Sequence, residues 1–111
     1  MDLPTICFNS LTQQTEEVPS RRTIKENVDC IYTGNFHQNR ISDRQFNRCI
    51  ILEHHNASEL VLWNPWHKAT SAMQEADYQK MICLETARIS KPLNFGETVG
   101  VDIFTDKYLS R

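Results

Sequence analysis

Among 111 residues, one carboxylate that could do chemistry is Glu85. It lies in Met81-Ile82-Cys83-Leu84-Glu85-Thr86-Ala87-Arg88-Ile89, and a strand's period of two puts Met81, Cys83, Glu85, Ala87 and Ile89 on one face. Held among these residues and Trp63, a glutamate loses hydration, which raises its proton affinity toward that of a base working near neutrality. The same spacing also fits a solvated carboxylate on an open strand face, because Glu is rarely buried. Asp29, inside Val28-Asp29-Cys30-Ile31-Tyr32, fits on spacing alone an aspartate that satisfies a nearby backbone amide. Trp63 and Trp66 could stack on a ligand ring or fill a core.

The other reactive types are less well placed. His54 and His55 are adjacent, so a strand points them to opposite faces, where they cannot share one metal ion without distortion. Both are expected at the surface. His37 and His67 lie in polar loops with no partner at a useful spacing. Cys7, Cys30, Cys49 and Cys83 include no CxxC pair, so no metal site is expected. The Met-Asp-Leu-Pro start has neither a basic region nor an apolar stretch of the kind that directs export, which predicts reduced, buried thiols in a cytoplasmic protein. Arg21, Arg22 and Lys25, and Arg40, Arg44 and Arg48, read as an anion patch or as solvated loop charge.

Composition closes off several classes. Twelve Lys and Arg against fourteen Asp and Glu give a net charge of -2, too balanced for nucleic-acid or anionic-membrane affinity through the global field. Three glycines leave no GxGxxG or GxxxxGK[ST] loop. The longest apolar runs, Ile50 to Leu52 and Leu60 to Trp63, are far too short to span a bilayer as a helix.

The elements that must carry these residues are strands. Thr5 to Phe8, Val28 to Tyr32, Cys49 to His54, Glu59 to Trp63, Met81 to Ile89 and Val99 to Phe104 are rich in β-branched, aromatic and cysteine residues, and turn-formers bound them. Thr12 to Asn27 is polar, contains Pro19, and reads as a long loop. The short connection His55 to Ser58 predicts a hairpin between the third and fourth strands. Asn64-Pro65 ends the fourth strand, since proline removes a ladder donor, and Trp66 to Ala76 reads as irregular with at most one helical turn. No helix-period stripe occurs. The prediction is an all-β chain of about six antiparallel strands.

Two segments go beyond generic strands: Leu62-Trp63-Asn64-Pro65-Trp66, and Asp77-Tyr78-Gln79-Lys80-Met81-Ile82-Cys83-Leu84-Glu85-Thr86-Ala87. Together they resemble the C-terminal part of the hexose-6-phosphate mutarotases, or glucose-6-phosphate 1-epimerases. In that family a tryptophan-asparagine-proline turn precedes a D-x-Y segment and a strand bearing C-x-E-T/A-A. Val28 to Tyr32 is similar to the family's upstream D-x-x-Y strand, and Leu93 to Val101 to its closing G-E turn.

The resemblance implies a galactose mutarotase-like antiparallel β-sandwich, present here as one incomplete domain over residues 1–111. It implies interconversion of the α and β anomers of hexose 6-phosphates with no cofactor. Ring opening needs a proton taken from the C1 hydroxyl and one delivered to the ring oxygen. Carried over by motif, Glu85 is the catalytic base and Asp29 binds substrate hydroxyls. The family's acid is a histidine in an H-T-Y-F-like motif that does not occur in this chain, and its phosphate-binding arginines belong to the other half. The chain is therefore expected to be inactive alone, or to serve as a non-catalytic carbohydrate-binding or interaction module. Its expected partner is a hexose 6-phosphate, with neither nucleic acid nor membrane. Sheet surface that the family covers with N-terminal strands predicts self-association.

Overall fold

The computed structural model describes residues 3–34, 37–66 and 81–107. Eight strands run in chain order: β1 (Ile6–Asn9), β2 (Gln14–Glu17), β3 (Val28–Thr33), β4 (Gln38–Asp43), β5 (Arg48–His55), β6 (Glu59–Asn64), β7 (Cys83–Ala87) and β8 (Gly100–Lys107). No helix occurs among the described residues. They form two antiparallel sheets, a five-stranded one in the order β2-β1-β3-β6-β7 and a three-stranded one in the order β4-β5-β8. The predicted strands near Ile6, Val28, Cys49, Leu60, Cys83 and Val101 are all present, with shifted ends.

Three expectations need correction. The segment Thr12 to Asn27 is not loop throughout, because Gln14–Glu17 pairs with β1 from Asn9↔Gln14 to Ile6↔Glu17. Asn9 turns the chain: its side chain accepts from the Leu11 amide at 2.9 Å, its carbonyl accepts from the Gln13 amide at 2.8 Å, and Gln13 takes a φ of 61°. A further polar strand, β4, pairs with β5 along its whole length. The strand count is accordingly eight rather than about six.

The third correction concerns the hairpin. β5 and β6 do not pair; β5 lies between β4 and β8, while β6 lies between β3 and β7. The chain crosses from one sheet to the other at Asn56 to Ser58. Asn56 has a φ of 63°, a left-handed conformation that asparagine tolerates better than most residues. The Ser58 amide then bonds to the Ala87 carbonyl at 2.9 Å, and the Gly34 amide to the Ser58 carbonyl at 3.1 Å, which draws the segment onto the five-stranded sheet.

The core lies on one face of that sheet. Cys7, Val28, Cys30, Tyr32, Leu60 and Leu62 are buried together, with Leu3, Val18, Ile24, Ala57, Ile82 and Leu84 packed against them. The alternation in β3, buried at Val28, Cys30 and Tyr32, is the period-two signature of a strand with one covered face.

Candidate functional site

The register of β3, β6 and β7 decides which side chains share a face. Asp29 pairs with Trp63, and Trp63 with Cys83; Ile31 pairs with Val61, and Val61 with Glu85. Directly paired residues project to the same side, as do residues two apart. Asp29, Ile31, Val61, Trp63, Cys83 and Glu85 therefore occupy one face, opposite the core. Phe8, paired with Ile31, extends this face onto β1. From strand spacing and rise, the Asp29 and Glu85 backbones are roughly 12 Å apart, with Val61 and Trp63 between them.

This face is open. Glu85 is exposed, and Asp29, Ile31, Val61 and Trp63 are half-buried. The desolvated setting expected for Glu85 is thus not supplied by the described residues. Its neighbours match the expectation in part: Cys83 and Ala87 share its face. Burial, together with the nearby Glu85 carboxylate, pushes the Cys83 thiol up. Trp66 is half-buried in the turn after β6, while His67 and the Asp77-Tyr78 part of the motif lie outside the described residues.

The strand that bears Glu85 is fastened at three places. Before it, the buried Asn64 donates from Nδ2 to the Met81 carbonyl at 3.0 Å, and its Oδ1 accepts from the Trp66 amide at 2.8 Å. After it, Glu59 is 2% exposed and its carboxylate accepts from the Ile89 amide at 2.7 Å, the Ser90 amide at 3.1 Å and the Ser58 hydroxyl. Burial raises the Glu59 carboxyl, but these hydrogen bonds outweigh it and bring the group down to about 2. In the middle, Thr86 Oγ1 lies 2.7 Å from Nδ1 of His54.

His54 corrects a further expectation: it is 4% exposed rather than a surface residue. Its Nε2 lies 2.7 Å from Oδ1 of the buried Asn39. An amide oxygen only accepts, so Nε2 carries the proton and Nδ1 accepts from the Thr86 hydroxyl. Burial and the neighbouring His55 push the His54 ring down from its ordinary value. His55, on the other face of β5, is exposed and pairs with Asp102 at 2.8 Å. No local sequence signal marks His54 or Glu59 as buried; only contacts distant in the chain do.

Arg22 is not solvated loop charge. Its Nη1 donates to the Tyr32 hydroxyl at 2.9 Å and lies 3.5 Å from Cys30 Sγ. The four cysteines are unbridged; three are buried and Cys83 is half-buried. Burial and the adjacent Cys30 push the Cys7 thiol up to about 12, which keeps it protonated and unreactive. Two groups bring three metal-ligating atoms within 4.8 Å of one another, Cys7 with Glu16 and Cys30, and Glu53 with His55 and Asp102. The first lies on the core side of the sheet, the second on the three-stranded sheet, so neither adjoins Glu85. Among the described residues no helix is long and apolar enough to cross a membrane.

With this geometry in place, comparison with known proteins assigns the chain. The sequence model of the family described as aldose 1-epimerase matches residues 1–103. A Haemophilus influenzae protein named "Putative glucose-6-phosphate 1-epimerase" is 64% identical over 101 residues, which cover 91% of this chain and 37% of that protein. A Cenchrus ciliaris protein of the same name is 32% identical over 69 residues, or 60% of this chain and 21% of the relative. The crystal structure of HI1317 superposes with a TM-score of 0.90 at 62% identity, over 94% of this chain and 39% of that one. The chain spans less than two-fifths of the length of these relatives.

Proposed function

The chain belongs to the aldose 1-epimerase family, and from that premise we propose that it carries the carboxylate side of a hexose-6-phosphate 1-epimerase site. Glu85 is the general base that takes the C1 hydroxyl proton of the sugar, and Asp29 holds sugar hydroxyls. The observation that carries this reading is the register that sets both carboxylates on one open face of three adjacent strands, with Val61 and Trp63 between them. An apolar floor flanked by acceptors suits a pyranose ring, whose C–H surface packs on Trp63 while its hydroxyls donate.

The chemistry needs two proton-transfer groups on opposite sides of the ring. This chain supplies the base. The acid and the phosphate-binding cations belong to the part of the family domain that the chain does not match, so these residues alone are expected to turn over little or no substrate. Proton transfer to and from oxygen requires no cofactor, and the reading includes none. Reduced thiols and a sugar phosphate substrate go with a cytoplasmic setting.

The test is to measure anomer exchange of glucose 6-phosphate by NMR at neutral pH, for the chain alone and for the chain joined at Leu3 to the N-terminal part of the Haemophilus influenzae relative. Exchange that returns only in the joined protein supports the proposal. Sugar phosphate binding without exchange in the joined protein would instead indicate a carbohydrate-binding module.

A further inference from the structure

Glu85 can serve as a base only if β7 keeps its register, and β7 is an edge. Among the described residues it pairs with β6 alone, and a slip of one residue along β6 would turn Glu85 to the core side. The residue next to Glu85, Thr86, faces the opposite way, and there it meets His54 of the other sheet at 2.7 Å. His54 in turn is fixed by Asn39 of β4 at 2.7 Å and by its own amide, which donates to the His37 carbonyl at 2.8 Å. The chain Asn39–His54–Thr86 thus runs from the three-stranded sheet to the edge strand directly behind Glu85. Asn39 and His54 are 3% and 4% exposed, so loss of either hydrogen bond takes a partner from a buried polar group, which is costly.

We propose that His54 is a positioning residue for Glu85, holding β7 against the second sheet through Thr86 so that Glu85 stays on the open face. This rests on the reading of Glu85 as the base. The imidazole suits the task because one ring nitrogen donates while the other accepts, so a neutral ring in a single tautomer bonds both partners at once. A proton added at Nδ1 would place a charge in a buried site. An open pocket of about 270 Å³ beside the ring is lined, among the described residues, by His37, Arg88 and Lys91 and by no carboxylate. His55 and Glu53 flank His54 on its own strand, and Asp102 of β8 is held by His55 on the outer side. Among the described residues the surroundings that face the ring are therefore cationic or neutral, which favours the neutral form.

The tether has a definite pH signature. A ring whose proton affinity is lower folded than unfolded gives its full support above the ordinary histidine value near 6.5 and loses it as the pH falls below that value. The amide introduced by His54→Gln also offers a donor group and an acceptor oxygen but does not titrate.

The test uses the purified chain, with nitrogen-15 NMR of the histidine rings and hydrogen exchange of the β7 and β3 amides. At pH 7.5 the His54 ring should carry its proton on Nε2. His54→Ala and Thr86→Val should each lower the protection of β7 amides at least tenfold and leave β3 within about threefold, whereas His54→Gln should retain β7 protection. Between pH 7.5 and 5.5 the wild type should lose β7 protection and His54→Gln should not. A proton on Nδ1, or unchanged β7 protection in Thr86→Val, would overturn the proposal. So would equal loss in His54→Gln and His54→Ala. None of these readouts involves sugar, so they stand or fall independently of Glu85→Gln, which tests the base itself.

Discussion

The two faces of β3, β6 and β7 are built from the same three strands and have opposite characters. On one, Cys30, Tyr32, Leu60 and Leu62 are each no more than 2% exposed and pack with Cys7 and Val28. On the other, Glu85 is exposed and Asp29 and Trp63 are half-buried, and on the adjoining β1 Ile6 and Phe8 remain 56% and 36% exposed. One face therefore holds the sheet together, and the other is left open among the described residues. The closed face stabilises through apolar burial, at about 25 cal/mol per Å². The open face gains little from its own side chains and depends on that support.

The largest effect that could break this comparison is on stability. Leu62→Ala should cost about 2–5 kcal/mol by opening a cavity in the closed face, whereas Val61→Thr, one residue away on the open face, should cost at most about 1 kcal/mol. Denaturant unfolding of both variants checks the contrast. Equal losses would show that the open face is packed as well.

Next comes Glu59, which closes the end of β7. Glu59→Gln weakens three hydrogen bonds to a buried carboxylate and should cost about 1.5–3 kcal/mol. The folded carboxyl lies at about 2, below its ordinary 4.5, so its contribution is complete above pH 4.5 and is lost as the pH falls through about 2. The wild type should lose its advantage over Glu59→Gln across that window in acid unfolding curves. A constant difference would mean that the charge contributes nothing.

A smaller change tests the other side of the sheet. Tyr32→Phe removes the acceptor for Arg22 and should cost about 1 kcal/mol, read as a fall in denaturant midpoint. The smallest expected effect concerns association. If exposed Ile6 and Phe8 draw chains together, replacing both with Asp should lower self-association severalfold in sedimentation, with little change in unfolding. Association that persists unchanged would place the contact elsewhere.

The sequence displays the apolar strands well and the polar ones poorly. β3, β5 and β6 carry apolar runs because they lie inside sheets, and those runs are visible without a structure. β2 reads Gln-Thr-Glu-Glu and β4 reads Gln-Asn-Arg-Ile-Ser-Asp; both sit at sheet edges, where pairing comes from the backbone and side chains need not be apolar. The crossing at Asn56 to Ser58 has the residues of a hairpin turn, and nothing local distinguishes a return within one sheet from a step to another. His54 and Glu59 look like surface residues for a related reason: what buries them is a partner more than 25 residues away in the chain. Motif resemblance singles out Glu85 and Asp29 as candidates, and their shared face is invisible to it, because that face depends on the register of β6 between them.

The central claim is that Glu85 takes the C1 hydroxyl proton. It is tested most directly by Glu85→Gln in the joined protein, with anomer exchange of glucose 6-phosphate followed by NMR. The amide keeps shape and size but cannot accept the proton, so kcat should fall about 10²–10⁴-fold with little change in KM. A kcat within a few-fold of the unsubstituted joined protein, in a variant that folds normally, would contradict the account.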